Sequence, residues 1–251
     1  MPTQSKTGDF TEFALEYDRY RIGYSPELYE VIKRFGLQRG GKVLDVACGT
    51  GLSAAAFASQ GFEVTGIDST PAMLEHARVR VPSATFAEAA ADQLPFADGS
   101  FDAVTCAQAF HWFNTPAAMS EFMRVTRSGG LVAIWWKHLL KDDPVRLERA
   151  DVYRAMGKPE LVSESLQGGF STFYGAPFAD RHLRALRFPH HTSVESYLGY
   201  ERSRKNAHAH FGDQVEQYFT RLEAALVAKF GSRDAQLWLT YVIYLYAGIV
   251  R

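Results

Sequence analysis

Two acidic residues bracket the pattern in this chain best suited to chemistry: Asp45 within VLDVACGTG (43–51) and Asp68 at the end of VTGID (64–68). The first segment reads as a strand that ends near an acid and runs into a glycine-rich turn before a helix. Gly49 and Gly51 permit backbone angles and a close approach that a Cβ would block, so a ligand can lie against the main chain. Asp68, at the end of the next strand, can accept hydrogen bonds from both hydroxyls of a ribose. Gly49-Thr-Gly51-Leu-Ser-Ala54 also satisfies the Gly-x-Gly-x-x-Ala form of the dinucleotide fingerprint, so a nicotinamide cofactor competes for this turn. Asp45 argues the other way, because a carboxylate there would repel a pyrophosphate and attract an ammonium group.

Positioning such residues requires a sheet whose strand ends converge. Apolar runs at 42–46, 63–67, 84–88, 102–107 and 131–136 read as strands, with helical patterns near 52–60, 70–79 and 116–127. Alternation at these short spacings predicts a parallel sheet covered on both faces, since each crossover needs a helix to return the chain to the same edge. Gly129-Gly130 reads as a helix end and the turn into the fifth strand. Beyond about residue 137 the rhythm changes to a charged stretch, KDDPVRLERAD, and then to SLQGGFSTFYGAPF, an apparent insertion. Helical patterns return over 194–200 and 214–230, and Leu237–Ile249 is expected to complete the sheet.

Bulk properties narrow the function classes. A 251-residue chain with 47% hydrophobic residues can bury a large core without staples. Its formal net charge of −1, with both signs mixed along the chain, offers no footprint for nucleic acid. Cys48 and Cys106 form neither a disulfide framework nor a metal-ligand spacing, which fits a reducing cytoplasm. The polar start, MPTQSKTGDF, has no apolar signal core. Leu237–Val250 is too short and too rich in Tyr and Val for a helical span, so no membrane association is expected. His190-His191 and His208-Ala-His210 lack clustered acidic or cysteine partners, and no metal is expected.

In order and spacing, FALEYDRYRIGY (13–24), VLDVACGTG (43–51), TGIDSTPAML (65–74), AAADQLPFADGSFDAVTCAQAFHWF (89–113) and RSGGLVAIWW (127–136) resemble class I S-adenosylmethionine (SAM)-dependent methyltransferases of the type 11 small-molecule group. More narrowly they resemble the trans-aconitate methyltransferase-like branch. RFPHHTSVESYLGYERSR (187–204) matches loosely the strand-then-helix that this branch places over the substrate. The resemblance implies a Rossmann-like α/β fold: a mostly parallel seven-stranded sheet, helices on both faces and a helical cap. Residues 1–136 would form a cofactor-covering helix and the SAM-binding core, and 137–251 the cap and the final strands. It also implies that Gly49 and Gly51, with Ala47, lie under the methionine part, that Asp68 and Ser69 meet the ribose, and that Met73 packs on the adenine. Asp92 would accept from the adenine amino group beside Ala91 and Gln93, or else cap a turn. Gln108 would pass the methionine chain. Tyr20 would close over the cofactor and Arg21 would pair its carboxylate, unless Tyr17, Tyr20 and Tyr24 merely pack a helix on the core.

Methyl transfer asks the protein chiefly for positioning and the exclusion of water. A pocket wall of His111, Trp112, Trp136 and Tyr200 would face a small-molecule acceptor, with an organic acid among the candidates. A carboxylate nucleophile needs no general base; a hydroxyl or amine does, and His111 is then the candidate. Two other classes compete with the methyltransferase, an NAD(P)-dependent oxidoreductase and a SAM-binding protein without catalysis. The sequence leaves the oligomeric state open.

Overall fold

The computed structural model describes residues 19–160 and 171–251. Tyr17 and the first half of the expected cofactor-covering segment 13–24, residues 13–18, lie outside the described residues.

Seven strands form one sheet in the order β3-β2-β1-β4-β5-β7-β6. These are β1 (Lys42–Val46), β2 (Glu63–Asp68), β3 (Thr85–Glu88), β4 (Phe101–Ala107), β5 (Thr126–Leu139), β6 (Asp180–Ser193) and β7 (Gln236–Ile249). The first five are parallel, while β7 inserts antiparallel between β5 and β6. This is the expected Rossmann-like α/β arrangement, and the apolar run near the C-terminus is a strand of it. No helix of the described residues is long and apolar enough to cross a membrane.

Proline and short polar caps set the helix starts. Proline occupies the first turn of α1 (Pro26–Lys33), α3 (Pro71–Arg80), α4 (Pro116–Val125) and α5 (Pro144–Ala155), where the missing N–H costs no bond. Thr115 caps α4 through the Ala118 amide. Asp143 caps α5 through the Val145 amide and with its other oxygen accepts from the Thr240 amide, tying α5 to β7. Glycine opens α2 (Leu52–Ser59), with Gly51 at φ 80°.

Period-two alternation divides β5 between two cores. Leu131, Ala133 and Trp135 face the layer of α1, α2 and α3 together with the later helices. Val132, Ile134 and Trp136 face the layer of α4 and the short α6 (Ser171–Gly175). The remaining helices, α7 (Val194–Arg202), α8 (Lys205–Phe211) and α9 (Val215–Phe230), connect β6 to β7. A buried ion-pair network holds them: Glu201 on α7 accepts from Arg149 on α5 and from Arg204, and Tyr197 and Tyr218 donate to the same carboxylate. Burial opposes that charge, and the two guanidiniums overcome it, holding Glu201 down to about 2.

Three local expectations change. The fifth strand begins at Thr126 and the preceding helix stops at Val125, because the Thr126 hydroxyl donates to the Phe122 carbonyl and the strand then slips register between Phe101 and Ala103 of β4. Gly129 and Gly130 therefore lie inside β5, and both bond to Val250. The strand before α7 begins at Asp180, seven residues earlier than the pattern showed, because β6 is an edge strand exposed along most of its length and carries no clean alternation. The charged stretch after residue 140 is mostly helix α5.

Arg19 and Tyr20 are helical, and Arg21 to Ser25 take no regular secondary structure. The Tyr20 ring packs on Gly199 of α7 so closely that a Cβ there would meet ring carbons at 2.5 Å. Alanine in a helix interior ordinarily gains about 0.5–1 kcal/mol over glycine. Gly199→Ala should therefore lower stability, or leave it flat, in the native background and raise it by about that amount in a Tyr20→Ala background. Chemical denaturation of the four proteins checks this, and the same sign in both backgrounds would refute the packing.

Candidate functional site

The strand order reverses direction between β1 and β4, and at such a switch the loops from adjacent strand ends diverge and leave a crevice. Two non-glycine residues take left-handed conformations at those two strand ends, Ala47 (φ 54°) after β1 and Gln108 (φ 62°) after β4. Backbone in that region costs of order 1–3 kcal/mol and persists where surroundings impose it. Both residues line a cavity of about 230 Å³.

Asp68 organises its floor. One carboxylate oxygen accepts from the Gly49 amide at 2.9 Å and the other from the Thr70 amide at 2.9 Å, so the turn after β1 and the turn after β2 are tied to one side chain. Burial raises the Asp68 pKa, with these amide bonds opposing the rise. Ala47, Gly49, Asp68, Ser69, Met73 and Gln108 line the cavity on the sheet side. Gln108 also donates to the Lys137 carbonyl at 3.3 Å. His111, Trp112 and Trp136 form another wall, and Arg21 and Tyr200 close it from the N-terminal segment and from α7. Arg21 donates to the Ser203 carbonyl at 3.3 Å and lies 5.2 Å from the Tyr200 ring centre.

The Trp136 indole N–H lies 3.2 Å from His111 Nδ1. An indole can only donate, so Nδ1 accepts and a neutral His111 carries its proton on Nε2. His138 also lines the cavity; burial first, and then Arg146 and Arg204, hold it at about 4, so it is neutral at pH 7.

Six of the sequence candidates lie outside the cavity lining. Asp45 is fully buried beneath the turn, where it accepts from the Thr105 hydroxyl at 3.0 Å instead of offering its carboxylate to a ligand's ammonium. Burial pushes its pKa up to about 7. Gly51 faces Ala77 of α3, where a Cβ would come within 3.3 Å, so it serves helix packing. Tyr20 packs on Gly199 of α7, while its neighbour Arg21 turns to the cavity. Ala91, Asp92 and Gln93 occupy the turn after β3, with Asp92 and Gln93 exposed, at the sheet edge away from the β1–β4 switch.

Sequence reasoning missed Lys137, His138, Arg204 and Lys205, all of which line the cavity. A signal existed for Lys137, a lysine directly after the apolar run LVAIWW of a buried strand. Arg204 gave none, since its placement depends on the distant partner Glu201. Among the described residues no group of three or more His, Cys, Asp or Glu side chains could hold a metal ion.

A sheet in this order with its cavity at the β1–β4 switch, floored by a glycine turn and a strand-end acid, is a Rossmann-like α/β fold with its crevice at the switch point. Residues 44–134 match the family described as a methyltransferase domain. An uncharacterized methyltransferase of Mycobacterium tuberculosis is 34% identical over 120 residues, 48% of either chain. A demethylmenaquinone methyltransferase of Beutenbergia cavernae is 41% identical over 133 residues, 51% of this chain and 55% of that one. The chain thus spans about half the length of the curated relatives it matches. A solved structure from Anaeromyxobacter dehalogenans, provisionally described as a type II methyltransferase, superposes with TM-score 0.74 at 25% identity, over 92% of this chain and 98% of the other. Phosphoethanolamine N-methyltransferase 2 of Haemonchus contortus, solved with SAM, shares the fold at TM-score 0.56 and 18% identity, over 99% of this chain and 61% of that one.

Asp45 gives a pH test of the buried floor. Its folded pKa of about 7 exceeds the ordinary 3.8, so between those values the folded chain holds a proton that the unfolded chain has released. Stability from this residue therefore declines as pH rises through that window and levels off above it. The melting temperature of Asp45→Asn relative to the native chain should climb from pH 5 to pH 8, whatever its sign at pH 5. A pH-independent difference would refute the raised value.

Proposed function

We propose that the chain transfers the methyl group of SAM to a small-molecule acceptor bearing a carboxylate. The observation that carries this reading is the charge of the cavity. Arg21, Lys137, Arg204 and Lys205 line it, and Asp68 is the one acidic side chain among the described lining residues. One cation suffices for a methionine carboxylate; the excess favours an acceptor that is itself anionic. The resemblance to the trans-aconitate branch supports the same acceptor class.

In this reading SAM supplies an electrophilic methyl on a sulfonium, and the chain binds, orients and excludes water. Asp68, held by the Gly49 and Thr70 amides, presents its remaining lone pairs to the ribose hydroxyls. Gly49, Ala47 and Ser69 line the main-chain path of the cofactor, and Met73 packs against its adenine. Asp92, with Ala91 and Gln93, stands on the outer rim toward which the adenine end extends. Arg21 pairs with the methionine carboxylate, and Gln108, fixed on the Lys137 carbonyl, borders the methionine chain. Trp112, Trp136 and Tyr200 wall the acceptor side. His111 acts as a donor: its Nδ1 pair is committed to the Trp136 indole, so Nε2–H orients an acceptor oxygen, and the base role is disfavoured. A carboxylate nucleophile needs no base, which agrees with that assignment. Residues 137–251 supply the cap over this acceptor side.

SAM and S-adenosylhomocysteine should raise the melting temperature while NAD and NADP at equal concentration leave it unchanged. Stabilisation by a nicotinamide nucleotide alone would replace this reading with an oxidoreductase. Methyl-labelled SAM incubated with a panel of carboxylic acids tests transfer itself, and tight SAM binding without transfer to any acid would favour a non-catalytic binding protein.

Arg21→Ala should weaken SAM and S-adenosylhomocysteine by about 1.5–3 kcal/mol, the value of a charge-assisted pair, or one to two decades in affinity. Adenosine, which lacks the carboxylate, should bind unchanged by calorimetry. An equal loss for adenosine would make Arg21 a support of the fold.

A further inference from the structure

Lys137 is the most deeply buried cation at the cavity, 8% exposed, on a strand face otherwise given to the apolar core. Its ammonium donates to the carbonyl of Ile22 at 2.6 Å and of Gly23 at 3.1 Å. The rings of Tyr24, Tyr241 and Phe188 surround it, their centres 5.3, 5.2 and 5.9 Å away. Among the described residues no carboxylate forms a salt bridge with it, and Arg21 is a second cation nearby. Burying an ammonium without a counter-ion is costly, and carbonyl dipoles and aromatic faces return only part of that cost. A stable core alone would be better served by leucine or methionine at this place. Burial, and then Arg21, push the Lys137 pKa down, consistent with that cost.

The two carbonyls belong to the residues immediately after Arg21. A segment without regular secondary structure has no repeating hydrogen bonds to fix its course, so the direction of Arg21 depends on what holds its neighbours together with its own bond to the Ser203 carbonyl. Tyr24 adds a second attachment, edge-on to Trp135 with ring centres 5.6 Å apart. We propose that Lys137 is a positioning residue for the cofactor: it fastens the Ile22–Gly23 backbone to the sheet and thereby aims the Arg21 guanidinium into the cavity. This rests on the reading of Arg21 as the partner of the methionine carboxylate. It makes cofactor affinity depend on a side chain that does not itself meet that carboxylate.

Lys137→Met keeps the length of the stem and its packing against the rings while removing the donors. In the full chain it should weaken S-adenosylhomocysteine binding tenfold or more with adenosine unchanged, both by calorimetry. Tryptic cleavage after Arg19 and Arg21, followed by mass spectrometry without ligand, should accelerate tenfold or more. The Lys137→Met/Arg21→Ala double variant should bind S-adenosylhomocysteine no more weakly than Arg21→Ala alone, the signature of two residues acting through one contact. Additive losses in the double variant, an equal loss for adenosine, or unchanged cleavage would each overturn the proposal. If Arg21→Ala alone leaves S-adenosylhomocysteine affinity intact, the reading of Arg21 fails instead, and the fastening is then judged by cleavage after Arg19 and Arg21. Should Lys137→Met not fold, Lys137→Gln, which keeps amide donors without the charge, is measured the same way, with smaller changes in the same directions expected.

Discussion

The bonds from the Gly49 and Thr70 amides to the two oxygens of Asp68 are the constraint on which the cavity depends. Each turn leaves the carboxyl end of its own strand, and nothing in strand pairing fixes their separation above the sheet. One carboxylate bridging both does. The same bonds oppose the rise that burial imposes on the Asp68 pKa, so the acid is oriented by the backbone it organises and its charged form is favoured by it. Ala47 and Gln108 sit at the neighbouring strand ends in conformations that side chains ordinarily avoid. Strain at both ends of the switch, beside a turn clamped by Asp68, is the pattern expected where geometry is held for a ligand.

Strand β5 distributes the remaining parts by alternation. Trp136 points to the α4 layer, where its indole meets His111; Trp135 points the other way, against Tyr24. Lys137 follows on the Trp135 side, within reach of Ile22 and Gly23. Trp135, Trp136 and Lys137 thus serve the core, the cavity wall and the N-terminal segment in turn. A one-residue slip in β5 would exchange all three roles, which gives its long antiparallel pairing with β7 a functional consequence beyond stability.

Elements with local signals were legible in the sequence. The βα alternation, the glycine turn and the strand-end acid each follow from residue types within a few positions, and the parallel order follows from the connection lengths. Eleven of the seventeen candidate residues line the cavity. The misplacements share a cause. Asp45 is one residue before the end of β1, and sequence shows its charge but not that the turn folds over it; full burial disfavours the charged form and leaves no path to a ligand in the cavity. Tyr20 and Arg21 are adjacent, and only the course of the backbone after the helical residues decides which of them meets the cavity. Edge strand β6, exposed along most of its length, lacks the alternation by which a strand is recognised.

Cations lining the cavity are held by means that no local pattern reveals. Glu201 is fully buried between Arg149 and Arg204, and the pair of guanidiniums returns the desolvation cost that one alone would leave unmet. Such a network is a poor way to gain stability, because apolar side chains of similar volume would pack at lower cost. What it does supply is orientation: Arg204 cannot leave the cavity wall without stranding a buried charge, and α5, α7 and α9 cannot separate without breaking the bonds to Glu201. Lys137 is held by the opposite device, carbonyl dipoles and rings, with no salt bridge to a carboxylate among the described residues. One cation of the cavity is therefore fixed by a buried anion, and the other by the backbone of the segment that carries Arg21.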